Sequence, residues 1–285
     1  MNSARIISFG RFGMRSVLNS YAMLFFSRNR YFAALILFTS FFNPYSGISG
    51  LFALICSMLL AGLLGFNREH IETGIYTYPA LLVGLGFGFY FEFGLAFFIL
   101  LVSATLLTIL LSVVLTARLG RQSLPALSLS FILSTWVIIL AVNQFNAIGL
   151  TQRHIYWVSH AYETGGMTLV NLIQRIENIP LPAFFAGFFR SMSAIIFQMN
   201  MGAGILLTIG VLFYSRIAFM LIWLGYSVAF LFQQVMHSGD VTSYYNLGTN
   251  YMLVAVAVGG LYVIPSVRSF IWAALLIPVS YLLVV

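Results

Sequence analysis

The chain has 285 residues, of which 61% are hydrophobic and 7% charged, with a net charge of +7 and a mean hydropathy of +1.00. Charged residues make up about a quarter of an ordinary soluble domain, so this composition excludes one and points to an integral membrane protein. The basic residues, all thirteen of them arginine, are spread over the connections between apolar runs, which excludes a nucleic-acid-binding patch and fits membrane topology.

In chain order, residues 1–19 carry Arg5, Arg11 and Arg15 and read as a basic, amphipathic segment lying in the membrane interface. Ser20–Gly50 then opens with Phe25-Phe26, passes through the polar knot Ser27-Arg28-Asn29-Arg30, and reaches a turn at Asn43-Pro44. Two arginines in such apolar surroundings need water or backbone partners, which predicts a re-entrant piece at 20–29 that dips into the membrane and returns, covered by protein. Apolar spans follow at about 31–42, 48–66, 73–90, 94–117 and 125–142. None shows period-2 alternation, so they are read as helices, several shorter than the roughly 20 residues of a full crossing. The last begins at Leu124-Pro125 and contains Ser128, Ser130, Ser134 and Thr135, the pattern of a half-helix with a polar lining. Residues 143–188 are a polar hinge holding Arg153, His154, His160, Glu163, Arg175 and Glu177, and further spans lie at about 201–214, 217–235, 246–264 and 268–285.

The two halves correspond at a fixed offset of 171 residues: Phe26 with Phe197, Asn29 with Asn200, Leu82 with Leu253, Gly88 with Gly259. A repeat on this scale marks a transporter or channel with its site between the copies. The predicted organisation is an interfacial segment (1–19), a first membrane repeat (20–142), a hinge or extramembrane connection (143–188) and a second repeat (189–285). Five crossings per repeat would invert the second copy. With residue 1 cytoplasmic, ten arginines (5, 11, 15, 28, 30, 68, 118, 121, 216, 268) fall on inside connections and three (153, 175, 190) outside, as the positive-inside rule requires. By the same offset Leu124–Trp136 should recur past Val285, so the second repeat is expected to lack its last half-helix, as in a piece of a longer protein.

The repeat, the NPYSG turn (Asn43 to Gly47), LPALSLSFILSTW (Leu124 to Trp136), GIYTYPALLVGLGFG (Gly74 to Gly88) and YNLGTNYMLVAVAVGG (Tyr245 to Gly260) together resemble the urea transporter family. The likeness spans nearly the whole chain outside the hinge and residues 1–15. It implies an all-α integral membrane fold of two inverted repeats, each of about five transmembrane helices with a re-entrant segment. It further implies a homotrimer in the lipid bilayer of a plasma membrane, here a bacterial inner membrane, whose subunits each pass urea or a similar small neutral polar solute. No enzyme activity and no cofactor is implied. Carried over residue by residue, the pore walls are Phe26, Tyr78 and Leu82 in the first half and Phe197 and Leu253 in the second, with Thr135 near mid-pore. The family's filter places a glutamine or glutamate three residues before the second phenylalanine of its aromatic pair; here those positions hold Met23 and Ala194. The asparagine after the aromatic of the glycine-rich block is Pro79 in the first half and Asn250 in the second, where the aromatic itself is Thr249. A solute stripped of water loses about 1–3 kcal/mol for each hydrogen bond left unreplaced, so such a pore must rely on Thr135, Thr249 and backbone carbonyls.

Two other readings compete. Ser103-Ala104-Thr105 is the nearest approach to the Ser-Gly-Ala-Thr flavin-attachment motif of membrane redox subunits that resemble urea transporters, although it lacks the glycine. The altered filter positions also suit a non-conducting module attached to a domain beyond residue 285. His70, His154, His160 and His237 have no metal-ligand spacing, His237 beside Asp240 being the pair nearest to one. Cys56 is read as a small buried hydrophobe, and Gly84, Gly86 and Gly88 as helix-packing positions. No set of residues has the context of a hydrolytic site.

Overall fold

A computed structural model describes residues 3–142, 149–150, 157–177, 179–236 and 247–284. The chain divides into two compact units, Met1–Trp157 and Val158–Val285. Helices dominate both, and among the described residues the only strand-like feature is an isolated bridge between Phe91 and Leu150.

The first unit holds α1 (Ser3–Met23), α2 (Arg30–Ser40), α3 (Pro44–Leu63), α4 (Arg68–Glu72), α5 (Tyr78–Tyr90), α6 (Leu95–Gly120) and α7 (Leu129–Val142). Asparagines set several of the starts. Asn29 accepts from the amides of Tyr31 and Phe32, Asn43 from that of Ser46, and Asn67 from that of Glu69, each satisfying donors that a helix start leaves open. Pro44 and Pro79 sit in the first turn of α3 and α5, where a missing N–H costs nothing. The second unit holds α8 (Trp157–Glu177), α9 (Ala183–Ala194), α10 (Met201–Tyr214), α11 (Arg216–Met236), α12 (Leu247–Val256), a π-helical turn (Ala257–Tyr262) and α13 (Val267–Val284).

Three of the described helices, α3, α6 and α11, are long and apolar enough to cross a membrane, whereas α2, α5, α7 and α10 have 11 to 14 residues. A rise of about 1.5 Å per residue makes these half-crossings. The boundaries also differ from expectation. α1 runs unbroken across residue 19/20 with Ser16 and Ser20 fully buried, and α9 spans residue 188/189. The expected helix at 246–264 gives way after Val256 to the π turn, at the Gly259-Gly260 pair; there Ser269 takes up the Gly259 carbonyl at 3.0 Å.

Packing follows the physics of a lipid solvent. On α6 the residues facing inward include Thr105, Thr108 and Ser112, while Leu95, Ile99, Val102, Leu106 and Leu110 are exposed. An exposed apolar stripe over a core carrying hydroxyls suits a protein whose surroundings are hydrocarbon. Ser130 and Ser134, expected to line a pore, instead face α6: Ser112 donates to Ser130 at 2.9 Å and Thr108 to Ser134 at 2.8 Å. Buried hydroxyls find partners on the neighbouring helix because hydrocarbon offers none. α3 and α5 approach more closely still, with Ser46 donating to the Leu85 carbonyl (2.8 Å) and Ser49 to that of Gly84 (2.7 Å). A Cβ on Gly84 would lie 2.6 Å from the Ala53 Cβ, and one on Gly88 would run into the Ser49 hydroxyl. The first unit's core continues through Val83, Phe87, Phe91, Phe97 and Leu101, with the Phe93 ring 4.7 Å from that of Phe97. The second centres on Leu221, Tyr251, Ala255, Ala273 and Ile277.

Gly84→Leu is therefore expected to force α3 from α5 and destabilise the protein by about 1–3 kcal/mol or more. The check is detergent-titrated unfolding followed by helical circular dichroism, with Gly62→Leu, at a position with open space around it, as the control.

Candidate functional site

The candidate wall residues Phe26 and Phe197 occupy the same local structure in each unit. α1 ends at Met23 and α9 at Ala194, and each helix is closed by a turn in which the phenylalanine takes positive φ, 54° at Phe26 and 55° at Phe197. The hydrogen bonds repeat too. The Phe26 amide donates to Met23 (3.1 Å) and that of Ser27 to Ala22 (3.0 Å); the Phe197 amide donates to Ala194 (3.1 Å) and that of Gln198 to Ser193 (3.0 Å). This is the Schellman arrangement, whose left-handed position is ordinarily glycine. A bulky side chain there costs about 1–2 kcal/mol, and strain of this kind gathers at functional sites. Among the described residues only Ser123 and Leu127 share positive φ without being glycine.

The turn also frees acceptors. The carbonyls of Leu24 and Phe25, and of Ile195 and Ile196, accept no hydrogen bond among the described residues. These are the open carbonyls of a helix C-terminus. They lie beside Met23 and Ala194, the last residues of their helices, whose side chains offer no acceptor.

In the first unit the remaining candidates are brought together on α5 and α7, which pack on each other, and α5 also packs on α1. Tyr78 and Pro79 form the buried first turn of α5, and within the buried run from Tyr78 to Phe89 Leu82 alone keeps appreciable exposure. Thr135 is unusual among the threonines, and shares its state with the Ser191 and Tyr251 hydroxyls. Thr39, Thr105, Thr108 and Thr208 each donate to a carbonyl one turn back, whereas the Thr135 Oγ1 is buried without a hydrogen-bond partner among the described residues. A buried hydroxyl left so calls for an explanation. In the second unit Thr249 and Leu253 are half-buried on α12, which packs on α9, and Asn250 is exposed. The Thr249 hydroxyl already donates to the Ser191 carbonyl at 2.9 Å, so it retains only acceptor capacity.

Arg28 and Arg30 are exposed, so water can reach both cations, while Ser27 is buried and Asn29 caps α2. Thr105 has 0% exposure and donates to Leu101 at 2.7 Å, so it offers no surface to a flavin. No group of three or more potential metal ligands occurs among the described residues, and His237 and Asp240 lie outside them.

The urea transporter family model matches residues 14–285. The chain belongs to the urea transporter family. It is accordingly an integral membrane protein of a passive channel family, with a small neutral solute as substrate and no enzymatic chemistry. No curated protein matches the chain. What sequence reasoning missed in this urea transporter family member is the backbone of the aromatic turns. The repeated spacing from phenylalanine to capping asparagine, 26 to 29 and 197 to 200, was the available signal.

Because the strain at Phe26 is local, Phe26→Gly is expected to change stability by no more than about 1 kcal/mol, strain relief offsetting lost packing. Phe97→Ala, at 1% exposure, should cost about 3–5 kcal/mol. Denaturant unfolding of the two variants side by side measures the contrast.

Proposed function

We propose that this chain conducts urea or a close relative down its gradient, along a path walled by Phe26, Tyr78, Leu82, Phe197 and Leu253, with Met23 and Ala194 at the filter positions. The observation carrying the reading is the pair of left-handed phenylalanines 171 residues apart, each closing a helix with the same hydrogen bonds. In this reading planar amides slide along the aromatic rings. Hydrogen-bond acceptance comes from the open carbonyls of Leu24, Phe25, Ile195 and Ile196, from Thr135, and from the Thr249 oxygen. Pro79 and Asn250 flank the path without supplying its acceptors. Three such subunits form the assembly in a bacterial inner membrane, each with a cytoplasmic N-terminus.

In proteoliposomes an imposed urea gradient should collapse at a rate that neither an uncoupler nor removal of sodium changes; flux abolished by the uncoupler would replace the channel with a proton-driven carrier. Thr135→Val should slow urea entry by about fivefold to tenfold, the weight of one hydrogen bond of about 1–1.5 kcal/mol.

The filter makes the sharper prediction. Met23→Gln with Ala194→Glu places an acceptor beside each aromatic turn and should raise urea flux by about tenfold or more, since each replaced hydrogen bond is worth about 1–3 kcal/mol. Stopped-flow light scattering reads this directly, and a fall in flux would show that the carbonyls already suffice.

A further inference from the structure

The turn bearing Phe197 is fastened differently from its counterpart at Phe26. After Phe26 the chain holds itself: the Ser27 hydroxyl accepts from the Asn29 amide at 3.0 Å, and Asn29 accepts from Tyr31 and Phe32 at 2.9 and 3.3 Å. After Phe197 the residue corresponding to Ser27 is Gln198, and Asn200 accepts from a single amide, that of Ala203 at 2.9 Å. A further hold comes from outside the turn. Glu177, the last residue of α8, accepts from the Met201 amide through Oε1 at 2.5 Å and from Arg190 through Oε2 at 3.1 Å.

The placement of those partners gives the contact its meaning. Arg190 lies on α9, one turn before its end at Ala194, and Met201 is the first residue of α10. One carboxylate thus joins the helix before the Phe197 turn to the helix after it. The side chains of Arg190 and Glu177 are 26% and 17% exposed, so the pair is largely withdrawn from water, where charge-assisted bonds are strong. A negative group at the start of α10 is favoured by the helix dipole as well. α9 and α10 also touch through their backbones, since a Cβ on Gly204 would run into the Phe189 carbonyl. Near the turn, the spacing of the two helices is therefore set by this backbone contact and by Glu177 together.

We infer that Glu177 is a positioning residue for the constriction: by bridging Arg190 and the Met201 amide it fixes the Phe197 turn, and through it the size of solute admitted. The inference rests on the reading that Phe197 walls the path. The residue 171 positions before Glu177 is Ile6, which carries no carboxylate.

The test uses the full chain in proteoliposomes, reading the ratio of N-methylurea to urea flux in wild type, E177A, E177Q and E177D. A parallel measurement follows backbone amide exchange across residues 195–203. Glu177→Ala should raise the flux ratio by about threefold or more and speed exchange of the Met201 amide by about tenfold or more. Glu177→Gln, which keeps an acceptor for Met201, should hold both changes below those of E177A. Should E177A fail to fold, E177D, one methylene shorter, carries the test, with a ratio shift of about twofold expected. A flux ratio unchanged in the alanine variant, or in the aspartate variant standing in for it, would reduce Glu177 to a structural staple and overturn the inference. So would unaltered exchange at Met201. If wild type passes neither solute, the channel reading falls by itself, and the exchange data alone decide whether Glu177 holds the turn.

Discussion

Each half of this protein stops a helix by forcing a phenylalanine into left-handed backbone, and much else depends on that constraint. The strain of about 1–2 kcal/mol at each turn persists only where surrounding contacts over-determine it. In the first unit those contacts are near at hand: Ser27 and Asn29 within the turn, and the Ser20 hydroxyl 2.6 Å from that of Thr77. In the second Asn200 accepts within the turn and Thr249 bonds the Ser191 carbonyl, and Glu177 adds a hold from a distant helix. The same backbone geometry is thus maintained by two different sets of side chains.

Ending a helix abruptly leaves carbonyls open, and in a membrane protein that has consequences. Hydrocarbon cannot satisfy them, so irregular backbone persists only where protein or a polar cavity covers it. Elsewhere in the chain polar groups are matched across helix interfaces. Ser46 and Ser49 bond carbonyls of α5, Ser112 and Thr108 bond serines of α7, and Ser269 bonds the π turn. Against that background the carbonyls of Leu24, Phe25, Ile195 and Ile196, and the hydroxyls of Thr135, Ser191 and Tyr251, stand apart among the described residues. Main-chain oxygen accepts hydrogen bonds without regard to the side chain at its position, which is why the proposed path does not depend on acceptor side chains at Met23 and Ala194.

Composition and period determined the larger outlines. Seven per cent charge, long apolar runs and a recurrence at 171 residues were enough for a helical membrane protein built from related halves, because solvent transfer and span length depend on residue type and number. The short helices were legible for the same reason: a run of 11 residues is too short to cross. Gly84 and Gly88 could be assigned to packing, since only glycine admits so close an approach of two backbones.

Tertiary structure decided the direction in which each polar group points. Ser130 and Ser134 share a helix and a chemistry with Thr135, yet they bond α6 while the Thr135 hydroxyl does not. No spacing rule separates them, because the choice depends on which helix lies against which face. Likewise φ at Phe26 and Phe197 runs against the intrinsic preference of the residue, which residue type alone does not reveal. Glu177 reads in sequence as one charge in a polar hinge, and becomes a bridge only when folding brings Arg190 and Met201 to its two oxygens.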